Sequence, residues 1–266
     1  RDYEATLAMR PQRVGGARSV LVVGNSLLLQ GVVRGQLRDG LAPAYDVEIF
    51  PIEGTTYLDW LFGLQRLFDE GARPAVVIVC MNFGQLTSDA THGAEFAYQL
   101  MRGRDLLRVK AAAGLDLMTT SNYFFAHNSA WFGLRSHLRA GLLEKLLPGT
   151  EQLAPYLAPV QTSRLPATRP LLGAAVQRLR QLEQLSTDHG AHFVMLLPPS
   201  LSPTDAAPEV AELAARQGIP VLVPFGPAEM PAAAFSDGFH LDPRGAELFT
   251  SRLQQELSSV LASLVN

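Results

Sequence analysis

Five short apolar-rich runs, separated by helical patterns, limit the fold of this chain more than any other feature. They lie at residues 19–23 (SVLVV), 45–50 (YDVEIF), 75–80 (AVVIVC), 192–197 (HFVMLL) and 220–223 (PVLV). Runs this short and rich in Val, Ile and Leu suit strands covered on both faces, as in a parallel sheet between helical layers. Tyr57, Trp60, Leu61, Leu64, Leu67 and Phe68 repeat at helical spacing, as do Leu172, Val176, Leu179 and Leu182. After the last run, Asp242 is placed to cap a helix with Pro243 at its first position. Phe249, Leu253, Leu257, Val260 and Leu264 would form the apolar stripe of that helix. Strands alternating with helices imply right-handed crossovers and an α/β class, with function gathered at the carboxyl ends of the strands.

Composition narrows the function. The chain has 266 residues, 47% hydrophobic and 18% charged, enough for a sizeable core and unlike a disordered segment. With 22 Lys+Arg against 25 Asp+Glu, the formal charge of −3 argues against a nucleic-acid partner. The single cysteine, Cys80, allows no internal disulfide and no Cys-based metal cluster, and its place at a strand end predicts burial. His92, His127, His137, His189 and His192 show no metal-ligand spacing, and no glycine-rich phosphate loop follows the first run. Neither a metal nor a cofactor is therefore expected. No window is apolar for 18 residues, so no spanning helix is expected. The chain begins at Arg1 rather than Met, which suggests a segment removed upstream.

The rhythm breaks between residues 83 and 171, where no run reads as a strand. Helical pieces are predicted at 95–113 and 131–147, and an irregular connector at 148–170. Residues 1–266 are thus read as a single domain carrying a helical insertion, a lid or cap, between strands three and four. The insertion holds nine Lys+Arg against six Asp+Glu, with Arg102, Arg104, Arg108 and Lys110 clustered. Tyr123, Phe124, Phe125, Trp131 and Phe132 follow in a stretch without formal charge. The plainest expectation is a helical subdomain packing these aromatics onto the sheet. The functional alternatives are a lid over the site or a patch that touches a membrane surface.

Two motifs carry the chemistry. Gly24-Asn25-Ser26 closes the first run, where a serine at a strand-to-helix turn either caps the helix or stands free as a nucleophile. Asp237 and His240 lie three residues apart ahead of the last helix, a spacing at which the carboxylate can fix the imidazole tautomer. Each has an ordinary structural reading alone, the second as an Asp-Gly turn. Glu53 and Asp59, near the second loop, form no evident acid/base pair.

Taken together, Gly24-Asn25-Ser26-Leu27 and Asp237-Gly238-Phe239-His240-Leu241 with Gly245 resemble the first and last blocks of the SGNH (GDSL-type) hydrolase and O-acyltransferase superfamily. Gly54 after the second run and Asn82 after the third supply counterparts of the two middle blocks. Two positions depart from the pattern. Asn25 stands where the name-giving motif has aspartate, and Cys80 where a glycine usually precedes the asparagine by two residues. The resemblance implies a three-layer, flavodoxin-like parallel sheet of about five strands. It assigns Ser26 as nucleophile, His240 as general base and Asp237 as its partner. The oxyanion would be held by the backbone N–H groups of Ser26 and Gly54 and the side-chain amide of Asn82. The implied substrate is a small acyl ester, acetyl for example, on a small molecule or carbohydrate. The same triad would serve an O-acetyltransferase of bacterial surface polysaccharide, whose relatives work outside the cytoplasm, periplasmic or tethered to the membrane. A non-catalytic module binding a glycan or protein partner on the same scaffold is the alternative of a different class.

Overall fold

A computed structural model describes residues 2–12, 16–135 and 168–265. Five strands, β1 (Arg18–Gly24), β2 (Tyr45–Pro51), β3 (Val76–Cys80), β4 (His192–Leu196) and β5 (Val221–Leu222), form one sheet in the order β2-β1-β3-β4-β5. Every neighbouring pair is parallel. The helices in chain order are α1 (Asp2–Leu7), α2 (Ser26–Gly31), α3 (Arg34–Leu41), α4 (Tyr57–Asp69), α5 (Phe83–Leu86) and α6 (Gly93–Gln99). They continue with α7 (Leu106–Ala113), α8 (Leu117–Asn128), α9 (Ala130–Gly133), α10 (Arg169–Asp188), α11 (Ala207–Ala215) and α12 (Pro243–Val265).

The alternation of side chains along each strand divides the core into two layers. Leu21, Val23, Val77, Val79, Phe193 and Met195 pack on one face with residues of α4, α6, α8, α10 and α11. Val20, Val22, Val76, Ile78, Val194 and Leu196 pack on the other with α2, α3 and α12. All twelve of these strand residues are buried, which is why the runs read as continuously apolar. The fold is the three-layer α/β sheet the sequence predicts. Asp242 caps α12, its Oδ1 accepting from Gly245 N at 2.7 Å. The buried stripe of α12 runs through Phe249, Leu253, Leu257 and Leu261, whereas Val260 and Leu264 flank it half-buried. Leu261 keeps the four-residue step from Leu257, so it holds the face that was expected of Val260.

Among the described residues, no strand lies between β3 and β4. The predicted helix at 95–113 is broken into α6, a short 3-10 turn (Gly103–Asp105) and α7. Of the helix expected at 131–147, only α9 falls within the described residues; 136–167, with most of the expected connector, lies outside them. The aromatics do not all pack inward. Tyr123 is buried, but Phe124, Phe125, Trp131 and Phe132 are exposed. Helix α8 turns Tyr123 and Ala126 toward Phe96, and the two residues between them point away from that face. The basic cluster is largely neutralised by carboxylates. Arg102 pairs with Asp69 and Asp105, Arg104 with Asp69 at 2.7 Å, and Arg108 with Asp105 at 3.2 Å. Among the described residues, no helix is long and apolar enough to cross a membrane.

Candidate active site

The carboxyl edge of the sheet is set by register. Gly24 lies opposite Pro51 of β2 and Cys80 of β3, so the segments leaving these strands start at one level. A β-carbon on Gly24 would meet Cys80 O at 2.5 Å, so only glycine fits where β1 and β3 end side by side. Cys80 is wholly buried, and that burial pushes its thiol up to about 12, leaving it neutral and inert.

Asn25, the residue between strand and helix, is the N-cap of α2. Its Oδ1 accepts from Leu27 N at 3.0 Å. Its Nδ2 donates to Thr55 O at 3.0 Å, joining the first loop to the second. Because Asn25 takes the capping role, Ser26 becomes the first helical residue, half-buried, with its hydroxyl available to another partner.

That partner arrives from the far end of the chain. Residues 235–241 form a tight loop, closed by a bridge between Phe235 and Leu241 and by Ser236 N donating to His240 O at 2.8 Å. Inside it, Asp237 Oδ1 accepts from Phe239 N at 2.9 Å and from His240 N at 2.7 Å. Asp237 Oδ2 lies 2.7 Å from His240 Nδ1, and His240 Nε2 lies 2.9 Å from Ser26 Oγ. Burial raises the Asp237 pKa, but the hydrogen bonds from His240 and Phe239, with the nearby imidazole, outweigh it and hold the carboxyl below its usual range. An ionised Asp237 favours the tautomer whose Nδ1–H donates to it, leaving Nε2 to accept the Ser26 proton. The Phe239 ring stands edge-on to the imidazole, centroids 5.0 Å apart.

The two middle blocks occupy neighbouring loops. Ile52 N donates to Gly24 O at 2.9 Å, which ties the second loop to the end of β1. Gly54 has φ +69°, and a β-carbon there would lie 2.3 Å from His92 Nδ1. Both conformation and space therefore demand glycine. Asn82 caps α5, its Oδ1 accepting from Gln85 N at 2.9 Å while Gln85 Oε1 accepts from Asn82 N at 3.0 Å. This orients the amide so that Nδ2 is a donor without a partner among the described residues.

So the structure brings Ser26, His240 and Asp237 into direct hydrogen-bond contact, with Gly54 and Asn82 on adjacent strand-end loops. The five-stranded parallel sheet is the architecture that the resemblance implied, and the four blocks lie at its carboxyl edge. No protein-family model and no curated protein sequence matches the chain. Among solved structures it is similar to a catalytic mutant of the acetylxylan esterase Axe2 from Geobacillus stearothermophilus, with 11% identity and a TM-score of 0.47 over 92% of this chain and 96% of that one. Axe2 itself matches at 12% identity and a TM-score of 0.44, covering 94% and 96% of the two chains. The lipase Lip_vut3 from a goat rumen metagenome matches at 11% and 0.40, covering 89% and 96%.

One group beside this edge lies outside the four motif blocks. Asp59 is wholly buried, and its carboxylate accepts from Thr56 N at 2.7 Å and His92 N at 2.9 Å. Burial raises its pKa to about 6 despite these bonds. His92 Nε2 in turn lies 3.0 Å from Glu95 Oε2. The three-residue spacing of His92 and Glu95 matches that of Asp237 and His240, and was the one signal in the sequence for this pair.

Proposed function

We propose that this protein is a serine-dependent O-acyl ester hydrolase acting on small acyl groups, acetyl among them, carried by a carbohydrate. The observation behind the reading is the chain of contacts from Ser26 Oγ through His240 to Asp237, at 2.9 Å and 2.7 Å. Ser26 Oγ attacks the ester carbonyl as His240 Nε2 takes its proton, and the carbonyl oxygen becomes an oxyanion. Collapse of this intermediate breaks the bond to the alcohol, which leaves with the proton from His240, and the acyl group stays on Ser26. A water molecule, deprotonated by His240, then repeats the sequence and releases the acid. The positive imidazole formed in each half is stabilised by Asp237, whose low pKa keeps it ionised. The backbone N–H groups of Ser26 and Gly54 and the Asn82 amide are the proposed oxyanion donors. Removing one side-chain donor of this kind typically costs about 10²–10³ in rate.

Hydrolysis is favoured over transfer to a glycan by the openness of the triad. The Asp237 side chain is 54% exposed and that of His240 20%, so water reaches the base. The test is hydrolysis of p-nitrophenyl acetate with and without an acceptor sugar. The reading expects acetate release that an acceptor does not divert. Acetylated sugar in place of acetate would turn the reading to the transferase. No turnover in either arm would overturn both.

A further inference from the structure

Helix α5, which Asn82 caps, is a single turn of four residues. A helix that short has almost no stability of its own. Phe83 and Leu86 bury its apolar side in the core. Apolar packing is non-directional, so it keeps the turn in place without fixing its rotation. Rotation is fixed by hydrogen bonds at the two ends. At the first end, Asn82 and Gln85 exchange two bonds, at 2.9 Å and 3.0 Å. At the other, the carbonyl of Leu86 is the last of the helix, and the helix itself has no donor left for it.

Arg178, from the middle of α10, supplies that donor. Its Nη1 donates to Leu86 O and to Ser88 O, each at 2.9 Å, and its Nη2 pairs with Asp89. The guanidinium carbon stands 4.7 Å from the centre of the Tyr57 ring. Tyr57 is buried and opens α4, three residues after Gly54. A planar guanidinium laid on an aromatic face has little freedom to tilt. The Arg178 side chain is 14% exposed and that of Asp89 74%. The carboxylate thus sits in solvent, which weakens the ion pair, and the charge-assisted bonds to the two carbonyls carry the hold.

We propose that Arg178 is a positioning residue for catalysis: by capping the carbonyl end of α5 it fixes the rotation of that turn and so aims the Asn82 amide at the oxyanion. This role rests on the ester-hydrolase reading and extends its site to a residue outside the four motif blocks. Arg178 acts through Asn82, because its bonds to the site run through the carbonyls that follow α5.

The test is a double-mutant cycle on kcat for p-nitrophenyl acetate, built from Arg178→Gln and Asn82→Ala, with melting temperature measured on every variant. Alone, Arg178→Gln is expected to lower kcat about tenfold, less than the ~10²–10³ assigned to Asn82 itself, with KM little changed. In Asn82→Ala no amide remains to be aimed, so the same substitution should change kcat by less than about threefold. Arg178→Lys keeps a cation that can donate to the carbonyls but loses the planar fork. It should lose less than Arg178→Gln, again only where Asn82 is present, and it carries the cycle if the Gln variant does not fold. A folded Arg178→Gln variant with kcat within about threefold of wild type overturns the proposal. So does a loss of similar size in both backgrounds, since a general effect on packing does not depend on Asn82. Wild-type turnover separates the two claims. An active wild type with either of these results sinks the role of Arg178 alone, whereas an inactive wild type whose Ser26 resists fluorophosphonate sinks the hydrolase reading and this role with it.

Discussion

Replacing Asn25 with aspartate, the residue of the name-giving SGNH motif, is expected to damage this protein. Asn25 is wholly buried and uses both ends of its amide. The oxygen caps α2 at Leu27 N, and the nitrogen donates to Thr55 O, each at 3.0 Å. A carboxylate keeps the first bond and turns an oxygen toward the Thr55 carbonyl in place of a donor. Leaving that carbonyl unpaired costs about 1–3 kcal/mol. Confining the new charge at a site without solvent adds to this, for a total of roughly 3–5 kcal/mol at pH 7. That is a large share of a typical stability of ~5–15 kcal/mol. The sign of the pH dependence follows from the same geometry. Burial raises the pKa of the introduced carboxyl, so its penalty is complete above that pKa. The penalty fades as pH falls through it, because a neutral carboxyl can donate its O–H to Thr55 O. Urea denaturation of Asn25→Asp and wild type across pH 5 to 8 should show a gap that narrows toward acid. Turnover at pH 7 should also fall, since Thr55 adjoins Gly54. A variant as stable and active as wild type at pH 7 would refute the tether between the two loops.

Four further outcomes follow from the site. Ser26→Ala and His240→Ala should each abolish p-nitrophenyl acetate hydrolysis with melting temperature nearly unchanged, since neither side chain is wholly buried; full activity in Ser26→Ala would sink the mechanism. Asn82→Ala should lower kcat by about 10²–10³ with KM little changed, and cost about 1 kcal/mol for the lost cap of α5. Gly54→Ala should be nearly inactive, and adding His92→Ala should restore only part of the loss, because the φ of +69° remains unfavourable once the ring is gone. A full rescue would show that crowding alone excludes a side chain there. Asp59→Asn should alter the pH dependence of stability. The wild-type carboxyl has its pKa raised to about 6 from 3.8, so its folded form binds the proton more tightly than its unfolded form. Wild-type stability therefore declines relative to Asp59→Asn as pH rises through this interval, by roughly 3 kcal/mol, and levels off above pH 6. A flat difference across that range would contradict the burial argument.

Much of the sheet was legible because its strands are covered on both faces, so burial writes a continuous apolar run. Even β5, only two residues long, is flanked by enough Val and Leu to be read. The candidate site was legible through residues that local geometry requires, such as Gly24 beside Cys80 O and the Asp237–His240 loop. Contacts between loops were not. Nothing in the sequence links Asn25 to Thr55 or Asp59 to His92, since each pair meets only after β1, β2 and α4 are packed. The region after β3 failed for a different reason. The spacing of Tyr123 and Ala126 marks one buried face of α8, but the aromatics around them obscure it, and an aromatic-rich stretch does not reveal which rings face out.

The account turns on whether Ser26 is a nucleophile activated by His240. Peptide mass mapping after brief treatment with a fluorophosphonate tests this directly, because attack by Ser26 Oγ on phosphorus displaces fluoride and leaves a stable adduct. The account predicts one modified residue, Ser26, in the wild type, and strongly slowed labelling in a folded His240→Ala variant. Wild-type protein that is folded and remains unmodified at Ser26 would contradict it.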